Sequence, residues 1–485
     1  MTYIGIDLGT SSIKAVLVDD RQRVLASAAR DLTVDRPAPL WSEQNPADWV
    51  SAALAALGGL RAASPEAFRR CEGIGLSGQM HGAVLLDERD RPLRPCMLWN
   101  DGRAAAECTE VEAAEPDSRR ITGNIAMPGF TAPKFLWVRR HEPDIFQRTR
   151  RILLPKAYLR LALTGEAIED MSDASGTLWL DVGGRDWSDR MLAATGLDRG
   201  SMPALVEGSQ PAGRMRTELS RDLGFDAPPL FAGGGGDNAA GAVGLGAVAP
   251  GTSFLSLGTS GVLWRTTERF EPRADSAVHA FCHALPDRWH QMSVHLSAAA
   301  SLNWWASVSG QTEIALLGEL GQQAERPSSV LFTPYLSGER TPYDPQMRGG
   351  FARLGHDTGR KAMTQAVLEG VAFAFRDGKT VLEADAPPIG EAMVIGGGSR
   401  SDLWLSILAS VLDMPLSRYR QAETGAAFGA ARLARLACYG EDPEAVCTPP
   451  SGGVDIFAPH AARAAVYSEH YEIWRRMAEV SRSLC

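Results

Sequence analysis

The string Leu-Gly-Thr-Ser occurs twice, at residues 8–11 and 257–260, each time between two β-prone runs. The copies stand 249 residues apart (257 − 8), about half of the 485-residue chain. Each reads as a hairpin whose tip carries hydroxyls and clustered backbone N–H groups, and such a tip can cradle a phosphate as anion-binding nests do. Either hairpin alone fits a plain surface turn. Its repetition at half the chain length points instead to two related lobes, each opening on a phosphate-facing turn. Asp7 ends the first strand and faces the first tip.

A second feature is the stretch 231–244, in which Phe231-Ala232 leads into four glycines, then Asp237-Asn238 and a run of small residues. The pattern predicts a strand end, a tight turn and a helix start. Glycine admits positive φ and leaves room for a bulky anion, which puts Asp237 beside a phosphate-sized gap. A simple N-cap role for Asp237 fits the same residues. Residues 392–404 repeat the order of apolar strand, glycines and helix around Gly396-Gly397-Gly398-Ser399. That turn lies 139 residues past Gly258 (397 − 258), whereas Gly235 lies 226 past Gly9 (235 − 9), so the first half is expected to carry most of the insertions.

Between these points β-like and helix-like segments alternate, as in α/β architecture. Asn45-Pro46 opens a helix through about residue 60 with Asn as N-cap, 151–164 reads as an amphipathic helix stopped by Gly165, and 363–381 as a long helix with Val367, Val371, Ala374 and Phe375 in the core. Residues 423–431 read as a loop entering a helix whose small residues allow close packing, and the Gly/Pro hinge at 246–251 divides the chain into domains 1–246 and 247–485.

A hydrophobic content of 45% is ample for two cores, and a net charge of −9 without a long basic run argues against nucleic acid as a partner. No apolar run reaches the ~18 residues of a membrane span, and residues 1–7 lack a basic and apolar leader. The seven cysteines are scattered without a C-x-x-C pair, which suits reduced thiols in the cytoplasm and no structural zinc.

The two hairpins, the 233–246 stretch and the 396–399 turn, in this order, make the chain similar to the FGGY family of carbohydrate kinases over residues 3–436. The segments 41–46, 75–82, 98–103, 153–160, 172–177 and 336–342 match the branch acting on a ketopentose. One departure is Ala157, where that pattern has an acidic residue after Pro-Lys. The resemblance implies two actin-like, ribonuclease H-like ATPase domains with an interdomain cleft. It also implies ATP-dependent phosphorylation of D-xylulose to D-xylulose 5-phosphate, with ATP and Mg²⁺ as cofactors and assembly as a homodimer. A kinase for ribulose, glycerol or gluconate would share the same catalytic parts. An actin-like ATP switch would share the hairpins without needing a carboxylate and a sugar loop to converge.

On the same resemblance, Asp237 is the catalytic base and Asp7 the acidic residue that helps hold Mg²⁺. Thr10, Ser11 and Lys14 from the first hairpin and Gly258, Thr259 and Ser260 from the second contact the phosphates, and Gly396, Gly397, Gly398 and Ser399 lie against the adenosine. Met80 and His81 contact the sugar with Asn238, and Trp99 and Asp101 form pocket walls. Asp101 beside Arg103 fits an internally paired carboxylate equally well.

Overall fold

The computed structural model describes residues 1–321, 326–420, 425–450 and 452–483. The first lobe is built on β1 (Thr2–Leu8), β2 (Ser12–Asp19), β3 (Val24–Asp31), β4 (Cys71–Gly78), β5 (Pro211–Arg214) and β6 (Leu230–Ala232), in the spatial order β5-β6-β4-β1-β2-β3. The second is built on β7 (Ser253–Leu257), β8 (Gly261–Thr267), β9 (His279–Cys282), β10 (Trp289–His295), β11 (Ala392–Ile395), β12 (Leu416–Tyr419) and β13 (Val454–Phe457), in the order β9-β10-β8-β7-β11-β12-β13. With the edge strands β5, β9 and β13 set aside, both sheets run third, second, first, fourth, fifth. In both, the first three strands are antiparallel neighbours and the fourth and fifth run parallel to the first. The repeated Leu-Gly-Thr-Ser strings are the tips of the two equivalent hairpins, β1–β2 and β7–β8.

The strand order corrects one expectation. The glycine turns at 233–236 and 396–398 look alike but are not equivalent, because the first follows the fifth strand of its lobe and the second follows the fourth. The true counterpart of the 396–399 turn is the segment that leaves β4 at Gln79-Met80-His81. Residues 421–424, beyond the fifth strand of the second lobe, lie outside the described residues. The first lobe still holds the longer insertion, residues 79–229 between its fourth and fifth strands, against 296–391 between the third and fourth strands of the second.

Helix α1 (Pro46–Ala63) begins as expected, with Asn45 Oδ1 accepting from Ala47 N at 3.2 Å. Helix α2 spans Pro155–Thr164, not 151–164. Residues Arg151–Leu153 pair as a strand with Val84–Leu86, and the residue before a proline is disfavoured in the α region. Gly165, at φ +89°, stops the helix where expected. Helix α3 is Asp237–Leu245, α4 is Ala299–Ser309 and α5 is Arg360–Glu383, with Val367, Val371, Ala374 and Phe375 all buried.

Helix α6 (Ala426–Tyr439) follows the fifth strand of the second lobe yet packs across β1, β4 and α3 of the first. Its small residues permit contact at backbone distance. A Cβ added at Gly5 would lie 1.7 Å from the Ala427 carbonyl oxygen, one at Gly75 would lie 1.8 Å from that of Ala430, and one at Gly429 would lie 1.7 Å from that of Ala240. The close packing expected of 425–431 is therefore present, while Glu423 and Thr424 lie outside the described residues. The main chain crosses between lobes between α3 and β7, and α6 crosses back. Among the described residues, no helix is long and apolar enough to cross a membrane, and the six described cysteines are free thiols. Cys485 lies outside the described residues.

Candidate active site

Three chain ends meet at the edge of the first sheet facing the second lobe. Asp7 pairs with Ser77 in the β1–β4 ladder, and Gly235-Gly236 pairs with Ser77-Gly78 on the other side of β4. This register brings Asp7 and Asp237 to one place from 230 residues apart in sequence (237 − 7). The Ser77 hydroxyl donates to Asp7 Oδ1 at 2.9 Å. Burial raises the Asp7 pKa, opposed by the Ser77 hydrogen bond and by the charge of Lys14, which is its partner across the β1–β2 ladder.

Asp237 is the first residue of α3, and Gly236 holds the N-cap position, so the N-cap reading of Asp237 fails. Its Oδ1 accepts from Asn238 N at 2.7 Å and Asn238 Nδ2 at 2.9 Å, and Oδ2 has no donor among the described residues. Burial, and after it the charge of Asp7, pushes the Asp237 pKa up to about 6. The carboxylate is thus a stronger base than an ordinary aspartate while still largely ionised at neutral pH. The glycines before it serve the protein's own packing. A Cβ at Gly233 would meet the Glu207 carbonyl oxygen at 2.3 Å, one at Gly234, where φ is +79°, would meet that of Leu76 at 2.1 Å, and one at Gly236 would meet Met80 Sδ at 2.8 Å.

Asp237 and Asn238 open into a cavity of about 230 Å³ between the lobes. Met80, His81 and Trp99 line it from the first lobe, and Ser256, Ser260, His279 and Arg340 from the second. His81 sits at φ +69°, with Nδ1 2.7 Å from the Gly176 carbonyl oxygen. Burial first, then the charges of Arg340 and Lys134, lowers its pKa to about 3. The imidazole is therefore neutral, with Nδ1–H donating to Gly176 and Nε2 left as an acceptor. Lys134 pins this loop, its Nζ donating to the carbonyls of His81 at 2.9 Å and Gly129 at 2.7 Å.

The second hairpin tip lines this cavity through Ser260, and the first stands behind Trp99, which lines it. Trp99 Nε1 donates to Thr10 Oγ1 at 3.0 Å, and Gln44 Nε2 to the Thr10 carbonyl at 2.7 Å, which fixes the first tip. Ser11 is exposed at that tip. In the second tip the Gly258 and Thr259 carbonyls accept from the backbone N–H groups of residues 298–300 at the start of α4. Beyond it, Gly396 has φ +94°, and Cβ atoms at Gly396 and Gly398 would run into Leu257, so these two glycines let the turn sit on the tip of β7. A Cβ at Gly397 would meet nothing within 4 Å. Ser399 turns its hydroxyl back to the Gly396 carbonyl at 2.7 Å.

Asp101 requires correction as a pocket wall. It is 1% exposed, its carboxylate accepts from Ser42 N at 2.7 Å and from Arg103 Nη2 at 2.6 Å, and Arg103 in turn lies 3.6 Å over the Trp41 ring. The internally paired reading is the right one, because a carboxylate satisfied in this way has no face left for a ligand.

The sequence reading matched segments 153–160 and 172–177 without giving them roles, and both support Asp237. The Ser172 hydroxyl accepts from Gly236 N at 3.1 Å and donates to Asp170, and Lys156 Nζ lies 2.7 Å from Asp170 Oδ2 and in contact with Glu169. Arg160 holds the carbonyls of Ala232 and Gly233. Burial opposes the charge of Lys156, but Asp170 and Glu169 outweigh it and its pKa rises. Glu169, Asp170 and Asp173 are close enough together to suggest a metal cluster, but the Lys156 ammonium already sits among them. The buried Ala157 is no loss there, since Lys156 finds its acidic partners on other segments. A wider surface hollow of about 660 Å³, lined by Arg119, Arg120 and Arg273, contains none of these residues.

Two lobes on one strand order, with the Asp237 carboxylate in the cavity between them, fit a phosphotransferase of the duplicated ATPase fold. The chain belongs to the FGGY family of carbohydrate kinases, whose N-terminal domain matches residues 2–244 and C-terminal domain residues 254–438. It is an ATP-dependent carbohydrate kinase. It is 49% identical to the xylulose kinase of Escherichia coli K12, with 98% of each chain covered. It is 34% identical to the xylulose kinase of Lactococcus lactis, covering 100% of this chain and 99% of that one. Among solved structures, the xyloylose kinase of Brucella ovis superposes with a TM-score of 0.97 at 52% identity over the full length of both chains.

Proposed function

We propose that this chain transfers the γ-phosphoryl group of ATP to the 5-hydroxyl of D-xylulose, with Asp237 as the general base. The observation that carries the reading is the Asp237 carboxylate, held through one oxygen by Asn238 and open at the other, in a cavity between the lobes that Ser260 of the second hairpin tip also lines. Near-full-length similarity to xylulose kinases supports the choice of sugar.

Phosphoryl transfer asks the protein mainly for positioning and electrostatic stabilisation. Asp237 Oδ2 orients the acceptor hydroxyl and takes its proton as the bond to phosphorus forms. The neutral His81 offers Nε2 as an acceptor to a second sugar hydroxyl, and Met80 and Trp99 flank the carbon chain. The tips with Thr10 and Ser11 and with Gly258, Thr259 and Ser260 hold the phosphates from either side, with Lys14 adding charge beneath the first. The exposed backbone at Gly396-Gly397 leaves space for the adenosine. Asp7, a carboxylate beside the cavity, is the residue that would hold Mg²⁺, whose oxygen-ligand preference it suits. When bound, Mg²⁺ neutralises charge on the phosphates. Closure of the lobes on the sugar excludes water that would otherwise accept the phosphoryl group.

The test is a coupled ADP assay over D-xylulose, D-ribulose, glycerol and gluconate, with and without sugar. The expected result is the highest kcat/KM for D-xylulose and little ATP turnover without sugar. Preference for another acceptor would reassign the substrate, and sugar-independent ATP turnover would remove the kinase reading.

A further inference from the structure

The segment Gly338-Glu339-Arg340-Thr341-Pro342 sits between the third and fourth strands of the second lobe and is bolted to β10. Thr341 N donates to the Val294 carbonyl at 3.1 Å, and Val294 N returns a bond to Thr341 Oγ1 at 3.1 Å. Glu339 accepts from Leu296 N at 3.0 Å and Arg340 N at 2.8 Å through Oε1, and contacts His295 Nδ1 at 3.2 Å through Oε2. Glu339 is thereby committed to β10 and to backbone. Between these two anchors stands Arg340, whose side chain lines the interlobe cavity. Among the described residues its guanidinium has no hydrogen-bond acceptor and no ion-pair partner. Every neighbouring anchor is satisfied, so the arginine is rigidly mounted and chemically unspent. A desolvated cation without acceptors is costly, and a ligand carrying oxygens would relieve that cost.

Its place in the cavity says which part of a ligand it meets. Arg340 Nη2 reaches across to Gly129 in the first lobe, where an added Cβ would lie 3.4 Å from it. Its charge falls on His81 and His279, whereas the charge bearing on Asp237 is that of Asp7. Asp237 and the guanidinium line one cavity, the guanidinium beside His81 and His279. A five-carbon sugar with its 5-hydroxyl on Asp237 places its C1–C2 end toward Arg340. In a ketopentose that end is a hydroxyketone, whose carbonyl oxygen lies in the plane of its carbon and only accepts hydrogen bonds, as suits a guanidinium that only donates them, whereas an alditol hydroxyl there sits on a tetrahedral carbon and carries a proton that must be turned away.

We infer that Arg340 is a specificity-determining residue that binds the C1–C2 hydroxyketone of the acceptor sugar from the second lobe and selects ketoses over the corresponding alditols. This rests on the D-xylulose reading proposed above and deepens it. It also makes the sugar site a joint product of both lobes, so that sugar contact with Arg340 draws the lobes together.

The experiment crosses substrate with residue. kcat/KM is measured for D-xylulose, 1-deoxy-D-xylulose and the pentitols xylitol and D-arabinitol with wild-type enzyme, Arg340→Met and Arg340→Lys. Sugar binding without ATP is followed by calorimetry. In the wild type, loss of the carbonyl is expected to reduce kcat/KM by roughly 10- to 100-fold, the scale of one hydrogen bond to a charged group. Arg340→Met is expected to lose about that much on D-xylulose, mainly through KM and sugar affinity. It should show little further loss on the pentitols and an unchanged KM for ATP, and Arg340→Lys should recover part of the discrimination. Equal losses on ketose and pentitol, or a raised KM for ATP, would overturn the assignment in favour of structural support or phosphate contact. Arg340→Lys supplies the same comparison should the Met variant fail to fold. Wild-type enzyme inert toward D-xylulose would strike the functional reading, whereas active wild type with an unchanged ketose-to-pentitol ratio in the variants would strike this one.

Discussion

In the first lobe the fourth strand ends at Gly78 and hands the chain to Gln79, Met80 and His81, whose side chains reach into the interlobe cavity or buttress it. In the second lobe the fourth strand ends at Ile395 and hands the chain to three glycines, of which Gly396 and Gly397 present exposed backbone. The strand order around both turns is the same. The difference lies in what the turn carries. Side chains that donate, accept and exclude water suit a small polyhydroxy acceptor, while stripped backbone suits a flat base. The fifth strand extends the contrast, for in the first lobe it leads through Gly233–Gly236 to Asp237, the proposed base. The helices that follow the two fifth strands, α3 and α6, then pack on one another at the centre of the molecule. Duplication supplied a frame with two equivalent loop positions, and residue choice gave the two halves different work.

The comparison breaks first at Asp237. If the base belongs to one lobe alone, Asp237→Ala lowers kcat by about 10²- to 10⁴-fold, roughly 3 to 5 kcal/mol of barrier. Nucleotide affinity, supplied by the hairpins and the second lobe, should remain within a few-fold of wild type in a titration with ATP. Near-wild-type turnover would return Asp237 to a structural role.

The central helix pair is the next target. Gly429→Ala gains ~1 kcal/mol of helix propensity, but its Cβ would lie 1.7 Å from the Ala240 carbonyl oxygen, and that neighbour is backbone that must move. Overpacking of this kind costs about 1–3 kcal/mol, so net destabilisation is expected in chemical denaturation, whereas Gly397→Ala, which meets nothing within 4 Å, should be close to neutral.

A pH profile sharpens the pairing of the two carboxylates. Protonated Asp237 cannot take the hydroxyl proton, so kcat/KM falls as pH drops through about 6 and is full above it. Asp7 raises that pKa, so Asp7→Asn moves the acid limb to lower pH even as it weakens Mg²⁺ dependence. An unmoved limb would separate the two residues. The smallest effects belong to the tips, where Ser11→Ala and Ser260→Ala each remove one hydroxyl. Each is expected to raise KM for ATP by roughly 2- to 10-fold, and similar values in the two lobes would mark the tips as equivalent.

Much of this frame is legible in the sequence because it is local. The hairpin tips repeat literally, Asn45-Pro46 and Gly165 mark helix ends by backbone preference, and the spacing of Val367, Val371, Ala374 and Phe375 gives a buried face. What sequence hides is register and long-range pairing. Two glycine turns after parallel strands look alike although one follows a fourth strand and the other a fifth. The return of α6 to the first sheet rests on glycines at 5, 75 and 429 that meet only in three dimensions. Asp101 reads equally as a pocket acid or a paired carboxylate until Ser42 and Arg103 are seen to satisfy it. Lys156, Asp170 and Ser172 form a chain to Gly236 N that no spacing rule reports, and Arg340 stands out only when its guanidinium is found without a partner.

The most direct measurement is a crystal structure of the protein with D-xylulose and a non-transferable ATP analogue. The account predicts the sugar's 5-hydroxyl within about 2.6–3.2 Å of the Asp237 carboxylate and the terminal phosphate between the tips at 9–11 and 258–260. A hydroxyl turned away from Asp237, or phosphates bound outside those two tips, would contradict it.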